Sequence, residues 1–195
     1  MPGKEGHSGL APEARLSKKP RLAGPGYVQN INMNVRLEVR TANKAEEPLI
    51  KSLLDAYLRE LSSYRDIVVD ATMVVDYPYL HLYWSELERY PFILRSSSEL
   101  AGFALIRQIA AQPATCMSVA EFYVVPDKRR QGLGRAAAQL LWKRFPGTWQ
   151  LQVMKGNQPA MEFWRACIQE YASAWWVEEI QAPDGQRLYY HFEVS

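Results

Sequence analysis

The chain has 195 residues, 48% of them hydrophobic and 23% charged, with a formal charge of +2. That is enough apolar material for the core of one ordinary domain and too little positive charge for a phosphate-tracking surface, which argues against a dedicated nucleic-acid binder. No apolar run approaches the roughly 18 residues of a membrane span, and no secretory h-region opens the chain, so a cytoplasmic protein with no membrane partner is expected.

Residues 1–34 carry Lys4, Arg15, Lys18, Lys19 and Arg21 against Glu5 and Glu13, with five of the eleven glycines and only Tyr27 as an aromatic. So little apolar surface cannot offset the entropy of ordering, and the segment reads as a disordered tail, with Met33 as an alternative translation start. Residues 35–195 read as the folded domain. Val35–Arg40 alternates apolar and charged residues as a half-buried strand does, and Leu49, Leu53, Leu54, Tyr57 and Leu61 then recur at helical spacing. The stretch from Asp66 to Tyr90 is rich in aromatics and reads as a loop with one or two short helical turns. Phe92–Arg95 and Leu100–Ile109 form a hairpin, and Met117–Val125, apolar on both faces, is a central strand.

A charged turn from Asp127 to Gln131 then leads into a helix over about Leu133–Arg144. Trp149–Val153 is a short strand, and a second helix begins at Asn157, with Pro159 in its first turn. Ala174–Ile180 and Leu188–Val194 close the chain as strands joined through Pro183, Asp184 and Gly185. This order gives a mixed α/β sheet. Cys116 and Cys167 lack metal-ligand spacing and read as reduced, buried thiols, and no metal is expected.

The chemistry concentrates in Val124-Val125-Pro126-Asp127-Lys128-Arg129-Arg130-Gln131-Gly132-Leu133-Gly134-Arg135. The glycines admit a ligand close to the backbone, the first N–H groups of the helix lack intrahelical acceptors, and the arginines add charge, so a pyrophosphate is the natural guest. The spacing is neither that of a Walker loop nor that of a dinucleotide fingerprint. Four basic residues stand against Asp127 in 127–135, so the rest of 35–195 is acidic in balance.

Arg129-x-x-Gly132-x-Gly134, after a strand ending Val124-Val125-Pro126, resembles the R/Q-x-x-G-x-G/A acetyl-CoA motif of the GNAT superfamily of N-acetyltransferases. Asn157-x-x-Ala160-x-x-Phe163-Trp164 is similar to the N-x-x-A-x-x-F-Y segment that opens that family's next helix. The resemblance implies a single-domain GNAT-like α/β fold, a mixed, mostly antiparallel sheet of six to seven strands flanked by helices. It implies a sheet that splays between 117–125 and 149–153, with the pantetheine arm of acetyl-CoA in the gap. Backbone groups of Val124 and Val125 would hold the arm, Gln131, Gly132, Leu133, Gly134 and Arg135 would cradle the pyrophosphate, Arg129 and Arg130 would add charge, and Asn157 would contact the pantetheine or cap its helix.

The expected reaction is direct attack of a primary amine on the thioester, with acetyl-CoA as co-substrate. Glu121, mid-strand among apolar neighbours, is the candidate base, or else a structural carboxylate paired with a residue such as Arg107. Trp164 stands where many relatives carry a tyrosine acid, which leaves Tyr123, Tyr83 or another hydroxyl to protonate the thiolate. The acceptor pocket is expected from Asp76, Tyr77, Tyr79, His81, Tyr83 and Trp84, aromatics and an acid that suit a cationic amine. A noncatalytic acyl-CoA-binding module of the same fold is the competing expectation, and the oligomeric state is open, a homodimer included.

Overall fold

The computed structural model describes residues 26–32, 35–64, 77–111, 115–183 and 185–195. Its strands are β1 (Tyr27–Asn32), β2 (Val35–Thr41), β3 (Arg89–Ser96), β4 (Glu99–Ala110), β5 (Thr115–Val124), β6 (Gly147–Met154), β7 (Ala174–Ala182) and β8 (Gly185–Val194). The helices are α1 (Glu47–Ser62), α2 (Leu133–Arg144) and α3 (Gln158–Tyr171). The strands form one sheet in the order β1-β2-β3-β4-β5-β6-β8-β7. Every neighbouring pair is antiparallel except β5 with β6.

Eight strands exceed the six to seven expected, and the addition is β1. It lies within the segment read as tail, pairs with β2, and is held from the helix side by Arg144, 5.2 Å over the Tyr27 ring, and by Ile31 against the core. The expectations for residues 1–25 and for Met33 lie outside the described residues. The aromatic stretch is described from Tyr77 onward, where a short 3-10 turn runs from Leu80 to Trp84.

Alternation along the strands sorts the core onto two faces. Phe92 and Leu94 of β3 with Ala104 and Ile106 of β4 pack on the side of α2 and α3, while Ile93, Phe103 and Leu105 pack beneath Ile50, Leu54 and Leu58 of α1. The helix ends follow local chemistry. Asn157 accepts the Ala160 N–H at 3.1 Å as the cap of α3, with Pro159 in the first turn, and Lys143 and Arg144 sit at the carbonyl end of α2. Cys116 and Cys167 are free and buried.

An irregularity in β5 shapes everything around it. Glu121 pairs with Leu105 and Val119 with Ile106, so Ala120 is an extra residue opposite β4. Such a bulge bends its strand and turns two successive side chains to one side. Ala120 and Tyr123 accordingly belong to the α1 face, while Val119, Phe122 and Val124 belong to the other. The parallel pairing of β5 with β6 covers only Met117, Ser118 and Val119 against Trp149, Gln150 and Leu151. Beyond the bulge the two strands part, and the sheet splays where the sequence resemblance places the gap.

Candidate functional site

The gap between β5 and β6 widens into a cleft of about 540 Å³. Phe122, Tyr123 and Val124 form one wall, the turn from Arg129 to Arg135 closes one end, and Asn157, Phe163 and Trp164 of α3 form another side. Tyr57, Glu60 and Tyr64 reach over it from α1 and the residues just after it.

Val124 is the residue whose backbone faces the gap. It pairs with Gly102, and the neighbouring Val125 N–H donates to the Ala101 carbonyl at 3.0 Å. Gly102 and Val124 are therefore a non-hydrogen-bonded pair, so the N–H and C=O of Val124 point away from β4 toward the space β6 has left. Val125 is placed differently: its N–H is held by Ala101 and its carbonyl accepts the Lys128 N–H at 3.0 Å. Gly102 makes this approach possible, since a Cβ there would lie 2.0 Å from the Tyr123 carbonyl oxygen.

The basic turn ends with two left-handed residues around Gln131, Arg130 at φ +59° and Gly132 at φ +79°, which swing the chain into α2. Leu133, 2% exposed, anchors the start of that helix in the core. The first hydrogen bond running back into the cap is Ala136 N–H to Gly132 O, at 3.0 Å, so the N–H groups of Leu133, Gly134 and Arg135 have no partner within the helix. These amides stand at the positive end of the α2 dipole, at the position where the glycine spacing predicts an anion. Gly134 faces the cleft wall, where a Cβ would meet the Phe163 ring at 3.2 Å and Val124 Cγ2 at 3.6 Å.

The three arginines differ. Arg130 carries no ion pair among the described residues, and Arg135 pairs with Glu170 at 3.1 Å. Arg129 lies across the cleft: its Nε donates to the Val124 carbonyl at 2.8 Å, its two terminal nitrogens donate to the Glu60 carboxylate at 2.7 Å each, and its guanidinium stands 5.3 Å from the Tyr123 ring centre. Gln131 folds back onto the Asp127 carbonyl at 3.0 Å. Tyr123 is 6% exposed, and burial, followed by the charge of Glu60, raises its phenol above the usual value although Arg129 is alongside. It therefore stays protonated through neutral pH.

Glu121 follows the bulge on the α1 face, opposite Leu105. Its charge acts on Tyr77 and Tyr83, and that of Arg107 acts on both with the opposite sign, so the carboxylate, the guanidinium and two phenols share one region. Burial first, then Glu121, pushes Tyr77 far above the ordinary phenol range.

The other residues expected at the acceptor pocket scatter. Tyr83 is 0% exposed and packs in the α1 core with Arg89 over its ring, while Trp84 donates Nε1–H to the Ala42 carbonyl at 3.1 Å under Lys44. Tyr79 stands 57% exposed at the surface, touching Tyr77 edge-on, and His81 is exposed as well. Asp76 lies outside the described residues. Trp164 is a packing residue at the base of the cleft, 5.1 Å from Phe122 and 4.8 Å from Phe163 between ring centres, and its indole has no titratable proton to give.

Sequence reasoning missed Tyr57, Glu60 and Tyr64. The signal is present, since positions 57, 60, 61 and 64 share one side of a helix and its extension, but the apolar period places Tyr57 in the core stripe. Tyr57 does contact Phe103 and Tyr123, and it lines the cleft as well.

The family model described as acetyltransferase (GNAT) family matches residues 35–167. No curated protein matches the chain by sequence. Among solved structures, a GNAT-family acetyltransferase of Streptococcus agalactiae superposes with a TM-score of 0.63 at 11% identity, over 82% of this chain and 95% of that one. Arabidopsis thaliana NAA60, solved with a bisubstrate analogue, gives 0.55 at 13% identity, over 81% and 97%. A Bacillus anthracis protein named for streptothricin acetylation, solved with acetyl coenzyme A, gives 0.54 at 14% identity, over 82% and 98%. At these identities the structural likeness is one of fold.

Proposed function

The chain belongs to the GNAT acetyltransferase family, with acetyl-CoA as co-substrate, and from that premise we propose that it transfers the acetyl group to a primary amine by direct attack on the thioester. The observation that carries this reading is the Val124 backbone, whose N–H and C=O face a cleft ending at the first amides of α2, which have no partner within the helix. An extended pantetheine arm pairs with such an edge as an added strand would, and its pyrophosphate meets Leu133, Gly134 and Arg135 at the helix N-terminus. Arg130 adds a charge at the same turn.

The amine enters from the α1 face, where Glu121 and Tyr77 stand on the far side of β5 from α2 and α3. The bound ammonium first gives up a proton to solvent; as the neutral nitrogen attacks the carbonyl carbon, Glu121 takes its second proton, directly or through water, and a backbone N–H of β5 meets the developing oxyanion. The C–S bond then breaks, and the Tyr123 hydroxyl, kept protonated by burial, protonates the departing thiolate. Trp164 cannot do so, which moves the acid role from α3 to β5. A carboxylate among aromatics, in a body of acidic balance outside the turn, suits a cationic acceptor. A cytoplasmic setting, which keeps Cys116 and Cys167 reduced and supplies acetyl-CoA, agrees with this reading.

Release of free CoA during incubation with acetyl-CoA and a panel of amines tests the proposal. Acetylated amine is expected in step with CoA. Calorimetric binding of acetyl-CoA with no turnover on any amine would favour a binding module instead.

A further inference from the structure

Glu60 is an acidic residue in the wall of a cleft whose mouth is otherwise basic, and it occupies the last turn of α1, where the helix dipole disfavours a carboxylate. Its partner compensates for that position. Arg129, 69 residues away in sequence, meets both carboxylate oxygens at 2.7 Å, and the same guanidinium places Nε on the Val124 carbonyl at 2.8 Å. That carbonyl is one of the two backbone groups turned into the gap. One side chain thus ties α1 to the glycine turn and also holds an acceptor that an extended arm needs. A phosphate anion offers a guanidinium the same two-oxygen geometry as a carboxylate, so an anion at the turn and Glu60 compete for Arg129.

We infer that Glu60 is a positioning residue of the co-substrate site: it holds Arg129 as a latch across the cleft, and the latch opens when the phosphates of the CoA ester draw the guanidinium toward the turn. The inference rests on the acetyl-CoA reading of the cleft and adds to it a residue on α1. The latch lowers affinity for acetyl-CoA, because the Glu60 pair must break before Arg129 can serve the phosphates. The pair is about two-fifths exposed on each side, which sets the effect at about fivefold in affinity.

Calorimetric titration with acetyl-CoA of the wild type, Glu60→Gln, Arg129→Gln and the double variant tests this. Glu60→Gln is expected to bind about fivefold more tightly than wild type, and the gain is expected to vanish in the Arg129→Gln background. In steady state the change should fall on the KM for acetyl-CoA, with kcat within about twofold. Glu60→Asp, which keeps the charge, is expected to bind as weakly as the wild type or between the two. Unchanged or weaker binding by Glu60→Gln, or the same gain with and without Arg129, would overturn the latch while leaving the co-substrate site standing. Binding by none of the four proteins would overturn the site and the latch together.

Discussion

Gly134 separates packing from ligand approach. The structure places a Cβ at that position 3.2 and 3.3 Å from two Phe163 ring atoms and 3.6 Å from Val124 Cγ2. Alanine therefore requires Phe163 to give by a few tenths of an ångström, and alanine in a helix is worth up to ~1 kcal/mol over glycine. The two effects oppose each other, so Gly134→Ala should leave stability within about 1 kcal/mol of wild type. Valine is another matter. Its two γ-carbons need space already held by Phe163 and Val124, an overpacking cost of about 1–3 kcal/mol.

The cheapest relief is rotation of Phe163 into the cleft it lines. That displacement occupies the path of the arm, so Gly134→Val is expected to lose at least ~1.4 kcal/mol of acetyl-CoA affinity, tenfold or more. Thermal unfolding of both variants measures the packing cost, and calorimetric titration measures the binding. Wild-type affinity in a folded Gly134→Val protein would refute the argument, because it would show that neither this face of α2 nor Phe163 borders the ligand.

Two further expectations concern β4 and β5. In Gly102→Ala the new Cβ meets the Tyr123 carbonyl oxygen at 2.0 Å, so β4 and β5 must separate there; destabilisation by about 3 kcal/mol is expected, a fall in Tm of roughly 6–12 °C, and an unchanged Tm would contradict the register. Glu121→Gln should lower turnover by roughly 10² and abolish the limb of the pH–rate profile along which activity rises as the base loses its proton. A wild-type profile in that variant would return Glu121 to a structural role beside Arg107, Tyr77 and Tyr83.

What the sequence disclosed followed from how local each signal was. The boundaries of α2 were readable to the residue, because Gly132 ends the basic turn and the apolar period begins at Leu133. The Asn157 cap came through a short motif with a mechanism, and the splay came only through the resemblance to the GNAT family. The bulge at Ala120 did not, since a single extra residue leaves an apolar run looking like a continuous strand. It is nevertheless what turns Glu121 toward α1 and starts the splay. Composition does not tell a packing aromatic from a binding one; burial does, with Tyr83 at 0% exposed and Tyr79 at 57%. The Glu60–Arg129 pair joins two distant segments, and nothing in the spacing of either announces the other.

The measurement that bears most directly on the assignment is acetyl transfer itself, followed by mass spectrometry of the acceptor alongside CoA release across primary amines, alcohols and peptides. One acetyl group gained on an amine nitrogen for each CoA released is the expected result, abolished by blocking that amine. CoA release that tracks an acceptor hydroxyl, or tight acetyl-CoA binding with no acetylated acceptor of any kind, would contradict it.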